Sequence, residues 1–213
     1  MKPLTKHPEP AVLVTNGAEW TSSYVAAAPH NRKRLERWGH EEIRATLSDE
    51  TYGKCAYCES TVGHVSYPNV EHILPKSKFP ELAHIWSNLT SACTKCNNSK
   101  SDYHEPDLAV FNPYTDDVEG RLVYWGDFVD WPFGDDRAEV TVRKLDLNRL
   151  DLRNERIDRI ASVREMLQRW HDAVGSKREL LAEAIRLDAE QGTFSRAVRA
   201  YLISRGFPLL ASP

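Results

Sequence analysis

The chain has little cysteine, and none outside two short motifs. Its four cysteines are Cys55, Cys58, Cys93 and Cys96, set as two Cys-x-x-Cys knuckles. That clustering argues against a disulfide-stapled secreted domain and points to metal binding in a reducing compartment. No apolar run approaches the length of a membrane span. The first residues, Met1-Lys-Pro-Leu-Thr-Lys-His-Pro8, hold no apolar signal core. A cytoplasmic protein with no membrane partner is therefore expected. A large net charge is also missing: it is −3, which excludes a uniformly basic nucleic-acid binder. The balance is uneven, however. Residues 105–136 carry nine Asp/Glu against one Arg, whereas residues 137–213 carry 15 Lys/Arg against 11 Asp/Glu. Binding to a polyanion depends on the local field, so the mean charge leaves it open.

The 213 residues are 41% hydrophobic, enough for one domain with a real core, or a small core with an extension. Four segments are expected. Residues 1–54 read as an extended arm over 1–30, with four prolines, followed by a helix over 31–49 that Gly39 breaks. Residues 55–104 hold short β-like pieces at 65–67 and 70–73, a helical turn at 81–86, a strand at 88–90 and a helix starting near Asn97. Residues 105–147 are acidic and loop-rich, with strands at 121–125 and 139–143 joined by a turn at Gly134. Residues 148–213 are helical. Ile157, Ile160, Val163, Leu167, Trp170 and Val174 recur at helical spacing. Ser176 and Glu179 suggest a capping box, and Thr193 a cap for a last helix. The fold class is α+β, mostly helical around residues 55–104.

The chemistry is concentrated in 55–104. Two thiolates per knuckle complete the closed tetrahedral shell of a structural zinc ion, with no open position for substrate. Between the knuckles lie Glu71 and His72, and Asn97 follows Cys96 directly. Neighbours in a regular strand point to opposite faces. Either the strand distorts at Glu71-His72, or only one of the two serves a site. Asn97 is a helix-cap residue or a metal ligand, with Asn98 the adjacent alternative.

Val70-Glu-His-Ile-Leu-Pro-Lys-Ser77, Trp86-Ser-Asn-Leu89 and Cys93-Thr-Lys-Cys-Asn97 resemble the HNH nuclease family, with its zinc-braced ββα-metal core. Tyr52-Gly-Lys-Cys-Ala-Tyr-Cys-Glu59 extends the likeness to the PtuB-like nucleases of Septu and retron anti-phage systems. Met1-Lys-Pro-Leu and Lys144-Leu-Asp-Leu-Asn148 carry it further along the chain. The resemblance implies His72 as general base and Asn88 as the residue fastening the loop that presents it. It implies a catalytic Mg²⁺ or similar ion held by Glu71 and Asn97, an Asn where the family often has a histidine. It further implies DNA as favoured substrate, a PtuA-like ATPase partner, and association with a retron reverse transcriptase and its DNA. RNA cleavage by the same fold, and a non-catalytic zinc module binding nucleic acid or a partner, are the competing functions.

Lys76 and Lys100 are the candidate phosphate contacts, Lys100 because it lies one turn beyond Asn97. Lys78 and Lys95 are weaker ones. His64, His84 and His104 have no assigned role. Arg149, Arg153 and Arg156, interspersed with acids, read as a solvated, salt-bridged helix face. The acidic segment around Asp116, Asp117, Asp135 and Asp136 reads as a partner-docking surface or a shield against indiscriminate nucleic-acid binding.

Overall fold

The computed structural model describes residues 1–62 and 68–209. Its fold is α+β. Among the described residues, seven α-helices surround two two-stranded antiparallel sheets. The expected strand at 65–67, and His64, lie outside the described residues.

Residues 1–30 are not an extended arm. A helix, α1 (Ala11–Ala26), occupies most of this segment. The prolines stand outside it, with Pro10 just before its first turn and Pro29 opening a 3₁₀ turn that runs to Leu35. Leu13, Gly17 and Tyr24 are buried at helical spacing. Gly17 sits close to the chain at His84, whose carbonyl oxygen would be 3.6 Å from an added Cβ. Helix α2 (Glu41–Glu50) follows after the expected break at Gly39. These elements close a core of Leu13, Tyr24, Trp38, Ile43, Leu47, Ala83, Trp86 and Leu89.

Strands β1 (Asn69–His72) and β2 (Leu89–Ala92) pair antiparallel, with Glu71 opposite Thr90 and His72 opposite Leu89. All four residues of β2 are buried, because the strand lies between two cores. Leu89 joins the N-terminal core, and Ala92 a second one built from Tyr57, Phe111, Leu122, Leu145, Leu147 and Leu152 among others. Helix α3 (Thr94–Lys100) completes the ββα unit. It starts three residues before the expected position, with Cys93 as its cap.

Beyond it, β3 (Val123–Trp125) pairs with β4 (Phe128–Asp130). The strand expected at 139–143 is instead helix α4 (Asp136–Lys144). The Asp135 side chain accepts from the Ala138 N–H at 2.9 Å and caps it. Ala138, Thr141, Val142 and Leu145 bury one helical stripe, and Glu139 pairs with Arg143 at 2.7 Å. The β-branched alternation at Val140 and Val142 is overridden by that cap and stripe.

Helices α5 (Leu150–Asp172), α6 (Gly175–Gln191) and α7 (Ser195–Ser204) form a C-terminal bundle around Val163, Ile185, Val198 and Leu202. Helix α6 begins at Gly175, so Ser176 lies within its first turn and caps nothing. Phe194 in left-handed geometry, not Thr193, precedes α7. No helix among the described residues is long and apolar enough to cross a membrane.

Candidate active site and metal centre

Cys55 and Cys58 sit in a turn hydrogen-bonded to β2 through the Ala56 N–H and Ser91 carbonyl, at 2.9 Å. Cys93 and Cys96 belong to the first turn of α3. The two knuckles therefore meet across the end of the hairpin. All four sulfurs lie within 4.8 Å of one another, and Cys58 and Cys93 are 3.8 Å apart. A disulfide needs about 2.05 Å, whereas sulfurs bound to one tetrahedral ion at about 2.3 Å stand about 3.8 Å apart. The donor set fits a metal ion. Among the described residues, no other group of three or more His, Cys, Asp or Glu converges so closely.

Arg149 covers this cage. Its guanidinium donates to Cys96 Sγ at 3.6 Å, Cys58 Sγ at 3.8 Å and Cys93 Sγ at 4.0 Å. Arg156 is buried in the core and donates to the carbonyls of Asp127 and Leu147, both at 2.8 Å. Of the supposed solvated face, only Arg153 fits, paired with Asp127 at 2.5 Å and partly exposed.

The other end of α3 borders a cleft of about 480 Å³, lined by Tyr24, Glu71, His72, Lys76, Ser77, Asn97, Asn98 and Asp102 among others. Glu71 and His72 both reach it, although they are neighbours at the end of β1. The strand ends at His72, and one further backbone bond, from the Ile73 N–H to the Asn88 carbonyl at 2.9 Å, follows it before the loop begins. Asn97 is interior to α3 and does not cap it.

His72 is buried, and its Nε2 lies 2.9 Å from the Ala83 carbonyl oxygen. A carbonyl only accepts, so Nε2 carries the ring proton and the lone pair is left on Nδ1. The edge of Trp38 meets the ring at 4.8 Å between centroids. Burial, reinforced by Lys76 and Lys100, lowers the His72 pKa to about 3, so the ring is neutral at cellular pH. The Glu71 carboxyl is also buried. Desolvation pushes its pKa up against the opposing pull of Lys100. Lys100 approaches Oε1 at 2.6 Å, and the Tyr57 hydroxyl stands 3.5 Å from the same atom. Neither contact falls on Oε2.

Lys100 differs most from its expected setting. Its ammonium is buried and also donates to the His72 carbonyl at 2.8 Å. It serves the interior, not the surface. Lys76 does line the cleft, its ammonium 5.1 Å from the Trp38 ring centroid. Lys95 is exposed and pairs with Asp151, and Lys78 donates to the His104 carbonyl. Asn88 is buried. It accepts from the Leu74 N–H at 2.8 Å and donates to the carbonyls of Leu74 and Leu82 at 3.0 and 3.1 Å. These bonds tie both ends of the loop between β1 and β2. His104 packs on Phe79 and is not part of the cleft lining. His84 is buried among Trp20, Tyr24 and Trp38.

Tyr24, Trp38 and Asp102 had no assigned role in the sequence, and Arg149 was expected on a solvated face, not over the sulfurs. Leu13, Gly17, Trp20 and Tyr24 at helical spacing would have revealed α1, and so an aromatic face there. Nothing local pointed Arg149 at the thiolates.

Residues 55–103 match the family model described as HNH endonuclease. Residues 55–103 carry an HNH endonuclease domain, its hairpin lying between the two cysteine knuckles and its helix starting at the second. It is similar to Septu protein PtuB of Bacillus thuringiensis, with 32% identity over 67% of this chain and 52% of that protein. A second Septu protein PtuB, from Bacillus mycoides strain KBAB4, is 26% identical over 57% of this chain and 52% of its own length. The chain thus spans about half the length of the curated relatives it matches.

Proposed function

We propose that this protein is a metal-dependent endonuclease hydrolysing phosphodiester bonds, with DNA the favoured substrate, as the nuclease of an anti-phage defence system. Residues 55–104 are its catalytic unit. What supports this most is the meeting of Glu71, His72 and Asn97 in one cleft of an HNH domain. His72 acts as general base. Its Nε2–H is held by the Ala83 carbonyl, so Nδ1 is the atom that takes the proton from the attacking water. The isolated ring is a weak base at a pKa of about 3. An anionic phosphodiester in the cleft favours the imidazolium and raises that value during reaction. Asn88 holds the loop leading away from His72, and Lys76 faces the phosphate from the cleft wall.

The residues suited to a hard divalent ion, Mg²⁺ foremost, are Glu71 through Oε2 and Asn97 through its amide oxygen. When bound, such an ion offsets charge on a non-bridging oxygen and on the departing 3′ oxygen. The four-sulfur cage suits zinc and is structural, since it leaves no position for substrate. Both relatives bear the name Septu, which favours an ATPase partner of the PtuA kind over a reverse transcriptase. Reduced thiols in the cage are consistent with work in the cytoplasm.

The test is a cleavage assay on DNA and on RNA, by the chain alone and with its ATPase, with Mg²⁺ and after its withdrawal. We expect Mg²⁺-dependent DNA cleavage that His72→Ala abolishes while zinc and partner remain bound. Cleavage of RNA alone would reassign the substrate. Cleavage of neither polymer under any condition leaves a binding module.

A further inference from the structure

Outside the HNH domain, residues 32–37 read Arg-Lys-Arg-Leu-Glu-Arg, four basic residues against one acidic. Two anchors fix this turn to the mouth of the cleft. Leu35 and Trp38 pack into the N-terminal core, and Trp38 touches His72. Arg32 stacks its guanidinium 5.2 Å from the centroid of Tyr24, a cleft-lining residue, and donates to the carbonyls of Ala27 and Val25. Its role is thus to hold the turn. Lys33, Arg34 and Arg37 lie between or beside these anchors and are exposed. Their side chains make no ion pair or hydrogen bond among the described residues. Elsewhere the chain pairs its guanidinium groups readily, as in Arg121–Asp135, Arg137–Asp116, Arg159–Asp188 and Arg196–Glu119.

We propose that Lys33, Arg34 and Arg37, continued by Lys76 on the cleft wall, form a track for the phosphate backbone of a nucleic acid entering the cleft. The ligand class is a polyanionic phosphodiester chain, read by charge and not by base. The track deepens the nuclease reading and rests on it for the identity of the cleft, while predicting a binding property of its own. Long cations on an anchored turn suit a backbone that repeats its charges, and each contact releases condensed counterions. Little of the net charge reveals this, because the acidic segment offsets the turn in the sum.

The experiment uses the full chain carrying His72→Ala, so that substrate stays intact. Binding to a short duplex DNA and to a short single-stranded RNA is measured across a salt series. The variant Lys33→Gln/Arg34→Gln/Arg37→Gln is compared with Arg164→Gln/Arg169→Gln/Lys177→Gln, which removes equal charge from the C-terminal bundle. We expect the first to flatten the slope of log affinity against log salt by about 2–3 on duplex DNA, or by about 2 on the single strand. The control variant should move it far less. The DNA and RNA arms identify which polymer uses the track. Equal effects from both variants, an unchanged slope, or no binding of either polymer by the parent at low salt would each overturn the proposal. A separate cleavage assay with His72 intact distinguishes the two ideas. Cleavage with an unmoved slope removes the track and keeps the nuclease, whereas a moved slope without cleavage does the reverse.

Discussion

One short helix, α3, serves two sites of opposite character. Its first turn gives Cys93 and Cys96 to a closed sulfur cage, and the next residues give Asn97 and Asn98 to an open cleft. The cage is built from two local repeats and needs only the hairpin to bring them together. The cleft needs distant parts: Tyr24 from α1, and Trp38 against His72. The cage satisfies its own donors, while the cleft keeps a lone pair on Nδ1 and a carboxylate oxygen outside the Lys100 pair. One end of the helix is spent on stability so that the other can be left incomplete.

Breaking the cage should have the largest effect. Cys93→Ala removes a sulfur ligand and the cap of α3 together. Structural zinc is worth about 10–16 kcal/mol in apparent binding, comparable with the whole stability of a domain at about 5–15 kcal/mol. We expect loss of zinc and of the cooperative thermal transition of the nuclease core, read by metal analysis and circular dichroism. A variant that kept full zinc and an unchanged Tm would show that the cage is not structural.

Breaking the cleft should spare the cage. His72→Ala should lower cleavage by about 10²–10⁴-fold with zinc content unchanged. Acidity sharpens the contrast. The buried ring stays neutral down to about pH 3, so kcat/KM should show no inflection near 6.5 from this group. Stability should respond in the other direction. The unfolded chain takes up the proton near 6.5 and the folded chain only near 3, so stability falls as pH drops through that window. The slope is about 1.4 kcal/mol per pH unit. His84, lowered to about 4 by burial, adds a similar slope down to that pH. Urea titrations at several pH values should show His72→Ala removing about 1.4 kcal/mol per pH unit from the slope within this window, alongside the opposing slope of the raised Glu71 carboxyl.

The same contrast explains what the sequence disclosed. The cage was legible because metal chemistry fixes ligand type and spacing within each knuckle. The ββα order was legible from the run between the knuckles. Helix α1 was hidden by prolines that turn out to flank it, and α4 by an alternation that also fits a helical stripe. Lys100 and Arg149 were misjudged for one reason. Long basic side chains are read as solvated unless a partner is known, and their partners, Glu71 and the thiolates, come from tertiary structure. Half-hidden pairing also changes the acidic segment. Asp116 and Asp135 are held by Arg137 and Arg121, and Asp135 caps α4, so these two are structural before they are anything else.

Within the cleft, the Glu71–Lys100 pair offers a smaller and more specific break. Lys100→Met leaves the Glu71 carboxylate buried without its cation, which typically costs about 3–5 kcal/mol. Adding Glu71→Gln removes the stranded charge, so the double variant should recover most of the loss in urea denaturation. If Lys100→Met were as stable as the parent and instead bound nucleic acid more weakly, Lys100 would be a phosphate contact after all.

Arg149 gives the finest test of the cage, because it touches the sulfurs without ligating the ion. Four thiolates around a divalent ion carry a net double negative charge, and a guanidinium donating to three of them stabilises that charge in a buried setting. Groups in this position typically change metal affinity by about 10–100-fold. Arg149→Gln should therefore release zinc to a competing chelator about that much more readily. The side chain also donates to the carbonyls of Leu145 and Asp146, at 3.4 and 3.1 Å. Loss of those bonds alone would lower Tm even at saturating zinc. A drop in Tm that zinc excess restores identifies the charge on the thiolates as the cause. A drop that zinc leaves untouched assigns Arg149 to the end of α4 and removes it from the metal centre.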